Sequence, residues 1–164
     1  MSIKYFFNTS YSPKCLDRFK EELESAKWYK SPYDTERSDL STELTEHLQS
    51  ILPFKISDAG FLRRRPISIY HPHVDPKRMF ALNLLMTNDS NSEDTFVMET
   101  DTDMSYTKTT KVDYTQGCFT ILNVKKVHYV VNHSDSDRIV LSIGCNEIPY
   151  EKIIYSLMPH LVKL

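Results

Sequence analysis

Between Phe54 and Cys145 the chain is a train of short apolar or alternating segments, at 61–70, 79–86, 95–99, 104–114, 118–124, 127–132 and 138–144. Alternation with a period of two is what a strand with one buried face requires. Polar turn clusters end the segments: Asp75-Pro76-Lys77-Arg78, Asn88 to Asp94, Thr100 to Asp103, Gln116-Gly117 and Asn132 to Asp137. Seven or eight short strands in about ninety residues point to a sandwich or a small barrel such as a jelly roll.

The flanks read differently. Ser12-Pro13 has the form of an N-cap and first helical residue, opening a helix to about Lys27 with Leu16, Phe19 and Leu23 on one face. A second helix is expected from Ser41 to Leu52, with Leu44, Leu48 and Ile51 inward and Pro53 as the stop. The tail PYEKIIYSLMPHL returns to a helix whose Ile153, Ile154, Leu157 and Met158 must cover the sheet or a partner subunit. The expectation is a mainly β chain with flanking helices, one domain over 1–164: helical support at 1–53, a β core at 54–146 and a C-terminal helix at 147–164.

Composition narrows the function. Twenty Lys and Arg against 22 Asp and Glu give no bulk attraction to nucleic acid or membranes. No apolar run is long enough to span a bilayer, and MSIKYFFNTSY is a poor signal peptide. Cys15, Cys118 and Cys145 are scattered, form no zinc pattern and suit a reducing compartment. A soluble cytoplasmic protein is therefore expected. With three glycines and no GxGxxG or GxxxxGK[ST], glycine-rich phosphate loops are excluded.

The stretch IYHPHVDPKR (69–78) carries the chemistry. His73 and Asp75 are two residues apart, so on an extended chain they face the same way. Asp75-Pro76-Lys77-Arg78 fits a type I turn, which puts the pair at a strand end. His128 interrupts a second apolar strand, and the chain resumes at Arg138 after a polar turn, reading as a hairpin. With Asn132 opposite Arg138, His128 and Arg138 share a face about 13 Å apart, a gap that a dicarboxylate could bridge. Two His and one carboxylate with open positions suit non-haem Fe(II): three sites remain, two for a chelating 2-oxo acid and one for O2. Arg138 adds a permanently charged fork for a second carboxylate.

His73-x-Asp75, His128 and Arg138 ten residues on resemble the HxD…H…R pattern of 2-oxoglutarate/Fe(II)-dependent oxygenases. ILNVKKVHYVVNHSDSDRIVLSIG (121–144) is similar to the C-terminal part of small aspartyl/asparaginyl β-hydroxylase-like proteins of bacteria and phages. The resemblance covers about residues 67–145. It implies a double-stranded β-helix (a jelly roll, cupin-like core), with His73, Asp75 and His128 as iron ligands and Arg138 on the 2-oxoglutarate C5 carboxylate. It implies Asn83 as a further cosubstrate contact, and a hydroxylase coupling decarboxylation of 2-oxoglutarate to succinate with C–H oxidation. Asp75 departs from the aspartyl/asparaginyl β-hydroxylases proper, which lack the acidic ligand, and it argues against a halogenase.

Two other readings stay open: a cupin-type metal enzyme that does not use 2-oxoglutarate, and a non-catalytic β-barrel binding module. Taken singly, HxD is most simply a polar turn and Arg138 a rim residue. His71 shares parity with His73 and is expected to support it or to face solvent; His133, in the turn, is expected to be solvated, and His47 and His160 to be surface residues. Arg63-Arg64-Arg65, beside Pro66, reads as a solvated strand edge. NDSNSED (88–94) reads as a loop without catalytic role. A small molecule, an amino acid or a peptide would serve as substrate, and no residue pattern selects among them or sets an oligomeric state.

Overall fold

The computed structural model describes residues 5–9, 11–31, 35–87, 93–100 and 106–161. Among them the strands are β1 (Phe6–Asn8), β2 (Tyr29–Lys30), β3 (Glu36–Asp39), β4 (Asp58–Arg64), β5 (Ser68–His73), β6 (Phe80–Leu85), β7 (Glu93–Thr100), β8 (Tyr106–Val112), β9 (Phe119–Leu122), β10 (His128–Asn132) and β11 (Arg138–Cys145). The helices are α1 (Leu16–Glu24), α2 (Thr42–Ile51) and α3 (Tyr150–Leu161). Two antiparallel sheets result, ordered β1-β9-β6-β11-β4-β3-β2 and β5-β10-β7-β8. From β4 to β11 the strands pass back and forth between the sheets, except that β7 and β8 pair with each other in the smaller one, and the fold is a double-stranded β-helix with flanking helices.

Period-two alternation assigns the two faces of the larger sheet. Leu82 and Leu84 of β6, Leu141 and Ile143 of β11, and Ala59 and Phe61 of β4 point to the helices, joining Phe19, Leu44, Leu48, Ile153, Ile154 and Leu157 in one core. Each fully buried Leu, Ile or Phe there contributes about 1.5–3 kcal/mol, so this layer anchors the sheet. The α3 side chains thus cover the sheet. The half-buried His160 ties α3 to α2, its Nδ1 bonded to the Ile51 carbonyl at 2.9 Å. The opposite parity, Leu62 and Arg64, Ala81 and Asn83, Arg138, Val140 and Ser142, lines the space between the sheets.

Several expectations are corrected. The first helix begins at Leu16, because Ser12-Pro13 stands one turn earlier, where the Pro13 carbonyl accepts from Leu16 N at 3.1 Å. Ser41 does cap α2, accepting from Leu44 N at 3.3 Å. The segment before residue 54 also supplies β1, β2 and β3. In β3, ERSD shows no apolar alternation; it is held by ladder bonds to β4 and by the Arg63–Glu36 (2.6 Å) and Arg37–Asp58 (3.1 Å) ion pairs. The segment 61–70 is two strands. Pro66 ends β4, and Ile67, at φ 48°, swings the chain into the smaller sheet as β5.

The expected hairpin of β10 and β11 does not form. β10 pairs with β5 and β7, whereas β11 pairs with β4 and β6. Residues 133–137 are a crossover between sheets, fixed by Asn132. Its Nδ2 donates to the carbonyls of Arg64 (3.2 Å), Arg65 (3.0 Å) and Ser136 (2.8 Å), and its Oδ1 accepts from Ser134 N and Oγ. One buried side chain therefore joins both crossovers, β4 to β5 and β10 to β11. Residues 88–92 of NDSNSED lie outside the described residues, and Glu93 and Asp94 open β7.

Candidate metal and cosubstrate site

His73 of β5 and His128 of β10 are directly opposite each other across neighbouring strands, with ring centroids 4.2 Å apart. The register shifts by one residue between His128 and Val130, since Val130 pairs with Tyr70 while His128 pairs with His73. The extra residue on β5 falls at His71-Pro72, where Pro72 has no N–H for the ladder. This bulge turns both Tyr70 and His73 to the cavity and leaves His71 exposed. The shared parity of His71 and His73 is thereby broken. His71 contributes its carbonyl instead, 2.9 Å from His73 Nδ1.

The Lys126 carbonyl lies likewise 2.9 Å from His128 Nδ1. A carbonyl only accepts, so Nδ1 of each ring carries the proton and each Nε2 keeps a lone pair for a ligand. His73 Nε2 is 3.5 Å from Asp75 Oδ1. One ligand atom from each of His73, Asp75 and His128 lies within 4.8 Å of the others.

Asp75 is held from several sides. Its N–H donates to the Val124 carbonyl at 3.0 Å, and its own carbonyl accepts from Lys125 Nζ at 3.0 Å. The expected type I turn is a bend at Pro76-Lys77, its first carbonyl engaged by Lys125. Arg78 donates Nε to Asp75 Oδ2 at 2.7 Å, brings Nη2 to the same oxygen and bonds Ser142 Oγ through Nη1 at 3.0 Å. Oδ2 is thus taken by the guanidinium and Oδ1 faces the histidines. Gly144 makes the reach possible, because a Cβ there would overlap the Asp58 carboxylate and come within 2.5 Å of Arg78 Cδ.

Burial raises the Asp75 carboxyl, but the interactions of its ionised form with the nearby His73 and with the Arg78 charge outweigh it and hold it at about 2. Burial drives His128 down, with the charge of His73 adding to it, to about 4. At neutral pH the group is an ionised carboxylate beside a neutral imidazole, the protonation state in which both bind a cation.

Arg138 lies across the cavity on β11, 5% exposed, with Nη2 donating to Thr95 Oγ1 at 3.0 Å and its guanidinium carbon 5.5 Å from the Tyr114 ring centre. It and His128 face the same space from different sheets. Asn83 on β6 donates Nδ2 to Tyr114 Oη at 3.1 Å. The cavity has a volume of about 70 Å3, and Leu62, Leu122, Val124, Val130 and Val140 form its apolar walls.

Arg64 was not legible as a site residue. β4 is central in its sheet, flanked by β11 and β3, so the arginine run is no edge. Arg63 and Arg65 point outward to Glu36 and Asp137, and Arg63 also stacks over Trp28 at 4.1 Å. Arg64, 6% exposed, turns inward and lies 4.2 Å over the Tyr70 ring, which is itself 4.0 Å from His73. Strict alternation from Leu62 was the available signal. His133 is exposed in the crossover and His47 half-buried on α2.

No protein-family model and no curated protein matches the chain. Solved structures match its fold. A prolyl-4-hydroxylase from Pseudomonas putida superposes with a TM-score of 0.61 at 11% identity, over 88% of this chain and 94% of that one. HygX from Streptomyces hygroscopicus, with nickel, 2-oxoglutarate and hygromycin B bound, gives 0.58 at 11% identity, over 88% and 84%. An oxidoreductase of the 2OG-Fe(II) oxygenase family from Burkholderia pseudomallei gives 0.57 at 12% identity, over 82% and 81%. At this identity the likeness is one of fold.

Proposed function

We propose that this protein is an Fe(II)- and 2-oxoglutarate-dependent oxygenase, most simply a hydroxylase, with His73, Asp75 and His128 as metal ligands and Arg138 as the cosubstrate anchor. The observation that carries it is the convergence of His73, Asp75 and His128 beside a cavity that the two histidines line and that a buried arginine, Arg138, enters from the other sheet. The donor set suits Fe(II), two imidazoles and one carboxylate without thiolate. A bound ferrous ion would supply the redox chemistry that couples O2 and 2-oxo acid oxidation to C–H oxidation of a substrate.

The chain's own residues prepare that chemistry. The His71 and Lys126 carbonyls orient the two imidazoles, and Arg78 holds Asp75 to a single free oxygen, leaving the remaining coordination positions to small molecules. Arg138 with Thr95 would receive the distal carboxylate of 2-oxoglutarate. Asn83 Oδ1 is buried without a hydrogen-bond partner among the described residues. Rotating that amide by half a turn would let Tyr114 Oη donate to Oδ1 and turn Nδ2, a donor, towards that carboxylate. The apolar walls exclude water, which strengthens each charged contact. Asp75 supports this reading over a close aspartyl/asparaginyl β-hydroxylase assignment.

The test is titration of the metal-free protein with Fe(II) and 2-oxoglutarate under anaerobic conditions, followed in the visible. A weak charge-transfer band that requires both additions and is lost in His128→Ala is the expected result. Iron binding without a band would transfer the protein to the cupin-type metal enzymes that do not use 2-oxoglutarate. No metal binding would leave a binding module. Arg138→Gln should weaken 2-oxoglutarate binding while sparing the metal.

A further inference from the structure

A row of alternating charges crosses the cavity-side face of the larger sheet and ends on Asp75. It starts on β3, where Arg37 donates Nη1 to Asp58 Oδ2 on β4 at 3.1 Å. The same Asp58 oxygen lies 3.9 Å from Arg78 Nη1, and the other edge of the Arg78 guanidinium engages Asp75. None of the four side chains is more than 30% exposed, so water screens these pairs far less than it would on an open surface.

The backbone is shaped for this row. Asp58 and Gly144 are Cα partners on β4 and β11, and the Asp58 carboxylate occupies the place of a Gly144 side chain. Gly60, two residues along β4 on the same face, lies under Arg37. A Cβ there would come within 3.3 Å of Arg37 Nη2 and 2.7 Å of the Ser38 carbonyl. Of the three glycines only Gly117 has a positive φ, so Gly60 and Gly144 supply space, not an unusual conformation. Both leave that space beneath the charged row.

The Arg78–Asp75 pair alone does not fix its own geometry. Nε and Nη2 meet a single carboxylate oxygen, and the guanidinium could pivot about that contact. Ser142 Oγ, at 3.0 Å, and Asp58 hold the far nitrogen, Nη1. The Asp58 charge also offsets that of Arg78, which by itself opposes a cation on Asp75. We infer that Asp58, itself held by Arg37, is a positioning residue for a divalent metal ion: through Arg78 it fixes the direction in which Asp75 offers its free oxygen. The inference rests on the metal-site reading above, and it gives the polar strand β3 a part in that site.

The test is Co(II) binding by calorimetry, with the visible spectrum of the Co(II) complex, in wild type, Asp58→Asn, Arg78→Gln and the double variant. Asp58→Asn should bind Co(II) about 3- to 10-fold more weakly, below the 10- to 100-fold typical of a residue that touches the ligand itself, and its spectrum should change. In the Arg78→Gln background the same substitution should alter the affinity by less than about twofold, because the link it acts through is gone. Asp58→Glu, which keeps the charge, should recover most of the loss and keeps the test open if the neutral variant folds poorly. Asn132→Ala, remote from the row, should lower the urea midpoint without moving Co(II) affinity, which separates positioning from general stability.

Wild-type affinity in Asp58→Asn would overturn the inference. So would an equal loss in both backgrounds, which would make Asp58 a distant charge acting without Arg78, or an Asp58→Glu variant as weak as Asp58→Asn. Failure of the metal-site reading is separate: wild type would then bind no Co(II), and both readings would fall together.

Discussion

Acidification of the metal-free protein should cost stability at His128. In the folded chain its imidazole is 5% exposed and titrates at about 4 against an ordinary 6.5. Between those values the unfolded chain binds a proton that the folded chain refuses. Stability is therefore complete above about pH 6.5 and falls on acidification by roughly 1.4 kcal/mol per pH unit until the folded group titrates. Over that interval of about 2.5 pH units the loss is on the order of 3 kcal/mol, a large part of the 5–15 kcal/mol typical of a domain. Asp75 acts lower: held at about 2, its contribution is present above its unfolded value and lost only as pH falls through the folded one, so it leaves the window above pH 4 to His128. Urea unfolding midpoints of wild type and His128→Gln between pH 7 and 4.5 measure the effect. The variant should show a markedly flatter profile. An equal slope in both proteins would refute the reasoning, and His128 would then be no buried neutral base.

Arg78→Gln removes the charged partner of a mostly buried carboxylate and should cost about 2–4 kcal/mol in urea unfolding, with weaker Co(II) binding by calorimetry. Unchanged metal affinity would show that Arg78 does not orient Asp75. Asn132→Ala breaks bonds at both crossovers and should destabilise by about 3 kcal/mol, with faster hydrogen exchange at 65–67 and 133–137; protection lost evenly over the molecule would argue against that local role. Ile67→Gly should raise stability by about 1 kcal/mol, because Ile67 is 76% exposed and a β-branched residue at φ 48° is strained. A loss on substitution would mean that its side chain, not its backbone, matters.

Much of the fold was legible because its signals are local. β6, β7, β9, β10 and β11 fall where alternation and turn residues put them, and α2 starts after Ser41 and stops before Pro53. β3 was not legible, since its polar ERSD is held in a strand by cross-strand ion pairs that no local pattern announces. Nor was the break in 61–70: Pro66 was visible, but its effect of sending β5 to another sheet depends on Asn132, sixty-six residues away.

For the candidate site, the sequence by itself determined residue types and spacing: two imidazoles and a carboxylate that suit a ferrous ion, and an arginine ten residues past the second histidine. Their convergence was decided only by tertiary structure. His73 and His128 meet because β5 and β10 pair in one sheet, and Arg138 faces them from the other sheet, not from a hairpin partner. The bulge at His71-Pro72 selected His73 and Tyr70 for the cavity, overriding simple parity. Arg64 passed from an apparent edge residue to a cavity wall once β3 covered β4. Parity along a strand is a local property; which face becomes interior depends on which sheet packs against it, and that choice is made by contacts far apart in the chain.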